Sequence, residues 1–134
     1  MYQRILVATD GSNLSRKAVS SAIALAGLCG AELVALKVVA RYPMTYFEGG
    51  MAVQAGEVAR IEKQWADNAQ AIVDAVKKTA MAKGVKAKAI TAKSDLVSEA
   101  VIAAAKKHKC DLIVMASHGR RGIKRLLLGS ETQL

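Results

Sequence analysis

The sequence predicts an α/β fold, an open doubly wound parallel sheet with the strand order 3-2-1-4. Short apolar runs of strand length alternate with amphipathic segments of helix length along the chain. Each predicted strand is followed by a helix, so the strands are expected to run parallel. With 134 residues, 52% of them hydrophobic and 23% charged, the chain is expected to form a single domain over residues 1–134.

Four strands and three helices are predicted in alternation, followed by a last short helix. The strands cover residues 4–9, 32–39, about 86–92 and 112–116. The first helix covers residues 15–29 with Ser12 as its cap, and Asp95 is expected to cap the third helix. The second helix is long and ends at Gly84, and its apolar residues recur at three- and four-residue steps: Val58, Ile61, Trp65, Ala69, Ile72, Val76 and Ala80. The third helix is expected to face inward with Val97, Val101, Ala104 and Ala105.

Two polar segments follow apolar strands, at what should be one edge of the sheet. The first is Asp10-Gly11-Ser12, directly after the first strand. The second follows the fourth strand and contains Gly119, Gly129 and Ser130. Glycines leave backbone amides unshielded, and a last short helix beginning at Ser130 would add a hydroxyl and a helix dipole, all of which suit an anion. The sequence therefore predicts a phosphate-holding loop beside an acidic turn, at the point where the strand order reverses.

These segments and the long middle helix resemble the universal stress protein family, and the resemblance covers the whole chain. Nucleotide-binding members of that family carry a glycine, two residues, a second glycine, nine residues, then glycine and serine or threonine. In this chain Gly119 stands at the second glycine and Gly129 with Ser130 at the end, but Ala116 replaces the first glycine. The extra methyl group is expected to narrow the space near an adenine or ribose.

The resemblance implies a module that binds ATP with Mg²⁺, or a related adenine nucleotide, between the first and fourth strands. It implies that Ala8, Thr9 and Asp10 lie near the base and ribose, with Val38 beside the adenine. It further implies that three residues lie beneath the ribose and phosphates: Met115, Ala116 and Gly119. Four residues are implied to bind the phosphate tail: Gly129, Ser130, Glu131 and Thr132.

The function expected from this resemblance is a stress-response or regulatory module. Hydrolysis is expected to be absent or slow because no general base is evident, and no catalytic residue is assigned. Neither a GxxxxGK[ST] loop nor a GxGxxG opening of the first helix occurs. A nucleotide-free dimeric interaction protein of the same fold is the alternative, and an enzyme of a related adenine-handling family is a third. Asp10 and Ser130 each have a simpler possible role as turn or helix caps.

After Thr132 the chain has only Gln133 and Leu134, whereas the resembling family continues through a helix into a fifth strand. That fifth strand is therefore expected to be missing, which would leave residues 112–115 as an exposed apolar edge. A longer natural product, a partner or a second copy would cover it, and we expect a homo-oligomer, a dimer. Residues 40–56 form a long irregular segment that could act as a lid over the crevice, cap the core or meet a partner.

The distribution of charge and the length of the apolar runs limit the classes of partner that the chain could bind. Thirteen basic residues and only three acids lie between Lys77 and Arg125. A solvated basic face is the simplest interpretation, and weak polyanion binding or steering of ATP is the alternative. Nucleic acid is not expected as a partner, because no stacking or recognition motif accompanies the lysines. No run is long enough for a membrane span and no signal segment is evident, so we expect a cytoplasmic protein without a membrane partner. Cys29 and Cys110 are expected to be reduced, buried thiols.

Overall fold

The computed structural model describes residues 2–40, 55–118 and 124–129, with side chains for residues 2–40 and 57–116. The chain forms five strands and three helices within these ranges. The strands are β1 (Arg4–Ala8), β2 (Glu32–Val39), β3 (Ala87–Lys93), β4 (Leu112–His118) and β5 (Lys124–Gly129). The helices are α1 (Asn13–Cys29), α2 (Ala55–Ala82) and α3 (Val97–Lys107).

The sheet has the order β3-β2-β1-β4-β5, and its first four strands are parallel. The parallel α/β architecture with the order 3-2-1-4 is thus confirmed. The chain moves outward from β1 through β2 to β3, then returns across the sheet to place β4 on the other side of β1. The strand order therefore reverses between β1 and β4, as the sequence predicts.

Helices cover both faces of the sheet and form two separate apolar layers. Side chains of α1 and α2 pack with one set of strand residues, among them Ile5, Val7 and Leu33. On the other face, Val101 and its neighbours in α3 pack with Leu6 and the residues that alternate with the first set. Because successive strand residues point to opposite faces, each strand contributes to both layers.

The fourth strand does not have the open edge that the sequence predicts. β5 pairs with β4 along its length in antiparallel orientation, from His118 opposite Lys124 to Ile113 opposite Gly129. The expectation of an uncovered apolar edge is wrong because the chain folds back on itself after residue 118 and supplies the missing hydrogen-bonding partner. β5 ends at Gly129, before Ser130.

The helix caps are partly as predicted. Ser12 caps α1, since its Oγ accepts a hydrogen bond from the Ser15 backbone N–H at 3.2 Å. The predicted Asp95 cap is wrong: α3 begins after Leu96, whose side chain offers no cap, and the Leu96 N–H donates to Ser94 Oγ at 3.1 Å. Ser94, and not Asp95, therefore accepts the hydrogen bond that forms the turn before α3.

Two helices are less buried at their N-terminal ends than the apolar pattern predicts. Val97 is 52% exposed at the start of α3 and Trp65 is 37% exposed in α2, whereas Val101 and Ala69 are buried as predicted. A helix of 28 residues such as α2 is about 42 Å long, more than the strands it covers, so its first turns extend past the sheet. This length accounts for the exposure of Trp65, whereas Val97 is the first residue of α3 and follows Leu96, which is also exposed.

Three further expectations concern the cysteines, the lid and membrane-spanning segments. Cys29 and Cys110 are reduced thiols that form no disulfide bond; Cys110 is buried and Cys29 is half-buried. Burial raises the pKa of the Cys110 thiol to about 11, which keeps it protonated at neutral pH. The predicted lid, residues 40–56, falls largely outside the described residues. Among those that are described, no helix is both long and apolar enough to span a membrane.

Candidate functional site at the carboxyl ends of β1 and β4

The strand register brings the first and fourth strands to the same level at their carboxyl ends. Ala8 pairs with Met115 on one side and with Leu36 of β2 on the other. The Thr9 N–H continues the ladder by donating to the Leu36 carbonyl at 2.9 Å. Residues that are over a hundred positions apart in sequence therefore become neighbours at the reversal of strand order, where open α/β sheets bind ligands.

The predicted contact residues divide between the two faces of the sheet. Ala8 and Val38 are half-buried and pack on the face that carries α3. Met115 lies on that face too, because it alternates with Val114 and Ala116, which pack on the face of α1. The Ala116 methyl group therefore points away from Ala8 and Val38, and the expected narrowing near an adenine or ribose stays a prediction.

Thr9 is buried, and its hydroxyl group is committed within the protein. Thr9 Oγ1 donates to Ser15 Oγ at 3.0 Å and accepts from the Gly11 N–H at 3.2 Å. Ser15 Oγ in turn donates to the Ser12 carbonyl at 2.9 Å. This chain of hydrogen bonds holds the turn after β1 against the first turn of α1, so the Thr9 side chain positions the turn.

The carboxylate of Asp10 is exposed at this edge and organises the same turn. Asp10 Oδ1 accepts a hydrogen bond from the Ser12 N–H at 2.8 Å. Gly11 between them has a φ of +84°, and an added Cβ would lie 3.1 Å from Cδ1 of Ile72 in α2. The positive φ favours glycine here, and a larger residue would also press on the end of the Ile72 side chain.

The structure separates Gly129 from this edge. Gly129 pairs with Ile113, which is five residues before His118 along β4, or about 17 Å at the rise of a strand. The prediction that Gly129 lies beside a phosphate at the carboxyl ends does not agree with this position, because β5 runs back toward the amino ends. Gly119, Ser130, Glu131 and Thr132 lie outside the described residues.

Comparison with known proteins places the chain in a family. The model of the universal stress protein family matches residues 1–133. A universal stress protein of Methanocaldococcus jannaschii is 35% identical over 130 residues, which are 97% of this chain and 73% of that protein. The universal stress protein YxiE of Bacillus subtilis is 33% identical over 132 residues, covering 97% of this chain and 88% of its own. The chain belongs to the universal stress protein family.

Solved structures of universal stress proteins share the fold. A family member from Burkholderia pseudomallei superimposes with a TM-score of 0.73 at 24% identity, covering 87% of this chain and 83% of that one. A universal stress protein in complex with cAMP superimposes with a TM-score of 0.59 at 25% identity, covering 84% of this chain and 74% of that one. The parallel sheet with its flanking helices is thus the universal stress protein fold.

One residue of this universal stress protein that the sequence reasoning did not include belongs with the site. Ile113 is half-buried on the α3 face of β4, in line with Met115. Together with Ala8 and Val38 these residues form a half-buried apolar floor, here called the α3-face floor. The two-residue alternation of β4 could have identified Ile113 from the sequence.

A hollow of about 480 Å³ opens on the opposite face of this universal stress protein, between α1 and α2. Thr9, Asp10 and Gly11 form one end of the hollow, and Lys83 is among the residues that line it. The hollow does not include Ala8, Val38 or Met115, so it is distinct from the α3-face floor. Within the part of the chain that the structure describes, no cluster of three or more His, Cys, Asp or Glu side chains could hold a metal ion.

Proposed function

We propose that this universal stress protein binds an adenine nucleotide, ATP with Mg²⁺, at the carboxyl ends of β1 and β4, and acts as a stress-response or regulatory module. The observation that carries the proposal is the α3-face floor at the reversal of strand order. Small and unbranched side chains, Ala8 and Met115, lie level there with Val38 close by on β2. A flat apolar floor beside a polar turn fits a purine ring with a ribose at its edge.

The relative in complex with cAMP supports the class of ligand, since it shares the fold and 25% of aligned residues. Asp10 is the residue best placed to accept hydrogen bonds from ribose hydroxyl groups, because its exposed carboxylate stands directly beyond β1. The amides of Gly11 and Ser12 already donate to Thr9 and Asp10, so the turn does not supply phosphate donors from these two groups.

We place the phosphate contacts in the segment that directly follows β4. His118 ends the strand at the carboxyl edge, and Gly119, Arg120 and Arg121 come next in the sequence. Guanidinium groups bind phosphate oxygens in a bidentate manner, and Mg²⁺ would be bound through the phosphates themselves.

The test is nucleotide release from the purified protein, followed by titration. Mass spectrometry after denaturation identifies any nucleotide that co-purifies, and calorimetry then measures ATP, AMP and cAMP with and without Mg²⁺. We expect adenine nucleotides to bind and GTP to bind much more weakly. Absence of binding for every adenine nucleotide contradicts the proposal.

A second candidate is a nucleotide-free interaction protein that works as a dimer. It is favoured by the hydrogen bonds that already occupy Thr9 Oγ1 and the Gly11 and Ser12 amides, which leave this turn organised without a ligand. Light scattering with and without ATP separates the two. Stable self-association with no nucleotide released supports this candidate. Phosphate release measured over hours tests the expectation that hydrolysis is absent or slow.

A further inference from the structure

The opposite edge of the sheet, where the parallel strands begin, collects the C-terminal ends of all three helices. In a parallel α/β fold the helices run against the strands, so helix ends and strand beginnings meet at one edge. We call this the amino edge. Nine cationic side chains lie on the segments that meet there: Arg4, Lys77, Lys78, Lys83, Lys86, Lys88, Lys106, Lys107 and Lys109.

The cations of the amino edge are poorly balanced. Only Glu32 and Asp111 are acidic on these strand beginnings and helix ends, so the edge has a net formal charge of +7, compared with +9 for the whole chain. Glu32 Oε1 already pairs with Arg4 Nε at 2.7 Å, and Asp111 accepts from the Gln3 and Arg4 N–H groups. All eight lysines are exposed, and none of them takes part in an ion pair within the described residues.

His108 reports the same positive field independently. Its pKa is lowered by burial first, and then by the charges of Lys88, Lys107 and Arg4. These three residues come from β3, α3 and β1, so the field arises from the convergence of separate elements. Complementing the helix dipole explains Lys106 and Lys107 in the last turn of α3, but not Lys86, Lys88 and Lys109, which lie outside the helices.

Large apolar side chains protrude from the same edge. Leu28 at the end of α1 is 80% exposed, and Met81 at the end of α2 is 56% exposed. The two helix ends adjoin: a Cβ added at Gly27 would lie 3.8 Å from Val85 Cγ2, and a cleft of about 450 Å³ is lined by Gly27, Gly84 and Lys86. Exposed leucine and methionine on an edge rich in lysines combine the two features of a peripheral membrane-binding surface.

We propose that the amino edge docks on an anionic lipid bilayer, with Leu28 and Met81 entering the headgroup region and the lysines of the edge contacting lipid phosphates. Charge complementarity argues for an anionic partner. The protruding apolar side chains favour a bilayer over a nucleic acid, because contacts with nucleic-acid phosphates are electrostatic and would not bury Leu28 and Met81. The sequence predicts no membrane partner because no apolar run is long enough to span a bilayer, but a peripheral surface of this kind requires no spanning segment.

The experiment uses the full chain and sedimentation with vesicles of phosphatidylcholine, alone or mixed with phosphatidylglycerol. We expect binding to the mixed vesicles, little to the neutral ones, and a decline with salt. The pair Lys83→Gln and Lys86→Gln should weaken partition about fivefold per lysine. The control pair Lys63→Gln and Lys93→Gln removes the same charge from the other end of the molecule and should change partition by less than about twofold.

The apolar contribution has its own matched pair. Leu28→Ser should weaken partition about fivefold to tenfold, because a protruding leucine is lost from the headgroup region. Leu96→Ser alters a leucine that is 55% exposed at the opposite edge and should have no effect. Both side chains are exposed, so neither variant should fail to fold.

Three results would overturn the proposal. The first is equal partition into neutral and anionic vesicles, or none into either. The second is equal loss from both lysine pairs, which would mean that only net charge matters. The third is binding to a DNA duplex that competes with vesicles while Leu28→Ser has no effect, which would assign the edge to nucleic acid. Nucleotide titration of Leu28→Ser keeps the outcome separate from the proposed function, since its affinity for ATP should be unchanged.

Discussion

The two edges of one sheet differ in how their polar groups are used. At the carboxyl edge, Thr9, Ser12 and Ser15 are joined by hydrogen bonds and shape a turn beside the α3-face floor. At the amino edge, eight lysines stand exposed on the same edge as Leu28 and Met81. The comparison teaches that the fold places an organised polar turn beside apolar side chains where strands end, and a set of exposed cations where helices end. A small ligand suits the first, and an extended surface suits the second.

The largest expected effect comes from filling the α3-face floor. Ala8→Phe places a ring where the proposed adenine would lie, and nucleotide affinity should fall by at least about a hundredfold, or about 2.7 kcal/mol. Calorimetry measures the affinity, and a melting curve confirms that the variant folds. Ala103→Phe, at an exposed alanine of α3 on the same face, is the control. Undiminished affinity in Ala8→Phe would place the nucleotide elsewhere.

Thr9→Val separates positioning from ligand contact. The substitution keeps the shape of the side chain but removes the hydroxyl that joins Ser15 and Gly11, so unfolding free energy should fall by about 1 to 3 kcal/mol. Denaturant titration measures it, with Thr79→Val, an exposed threonine of α2, as the control. A stability like that of the control would show that the hydrogen bonds do not hold the turn.

Asp10→Ala acts on the polar side of the same edge. We expect nucleotide affinity to fall by about 1 to 3 kcal/mol, as for a lost hydrogen bond to a charged group. Loss of the acceptor for the Ser12 N–H should lower stability by about 1 kcal/mol. Both quantities come from calorimetry and thermal melts of one preparation. A fall in melting temperature with unaltered affinity would leave Asp10 with a capping role alone.

At the amino edge, His108 should make the free energy of unfolding depend on pH. Because the folded pKa lies below the ordinary value of 6.5, the unfolded chain takes up a proton first as the pH falls. The contribution to stability is therefore full above about pH 6.5, declines as the pH falls toward the folded pKa, and is constant below it. Denaturant melts across this range measure the slope, and His108→Gln should remove it.

Lys88→Gln tests whether the positive charges of the amino edge lower the pKa of His108. It should raise the folded pKa of His108, as followed by NMR titration of the imidazole, and so reduce the slope. Lys63→Gln, far along α2, should leave the titration unchanged. An unaltered titration in Lys88→Gln would mean that burial alone sets the pKa and that the lysines of this edge do not converge.

The smallest expected effect distinguishes the two readings of Gly129. In β5 this residue pairs with Ile113 far from the carboxyl edge, and valine suits a strand, so Gly129→Val should leave nucleotide affinity unchanged within about twofold. A phosphate loop built around Gly129 predicts loss of binding instead, because a branched side chain would occupy the phosphate volume. Calorimetry on this variant therefore decides where the phosphates can lie.

Much of the fold follows from local pattern. The apolar runs at Ile5 and Leu33 and the Ser12 cap lie where the sequence predicts them, because strand and cap signals depend on neighbouring residues. The floor residues Ala8, Val38 and Met115 were also reached from the sequence, through the resemblance to the family. The exposure of Trp65 was not, because a helical pattern does not show where the sheet beneath the helix ends.

The sequence by itself determined the alternation of strands and helices, the family, and the acidic turn after the first strand. The tertiary structure alone decided the rest. β5 pairs with β4, and this pairing places Gly129 away from the carboxyl edge. The sequence of residues 124–129 does not show this, because antiparallel pairing depends on the partner strand β4. Convergence of helix ends turned scattered lysines into one basic edge, because antiparallel packing of helices on strands unites residues that are distant in the chain.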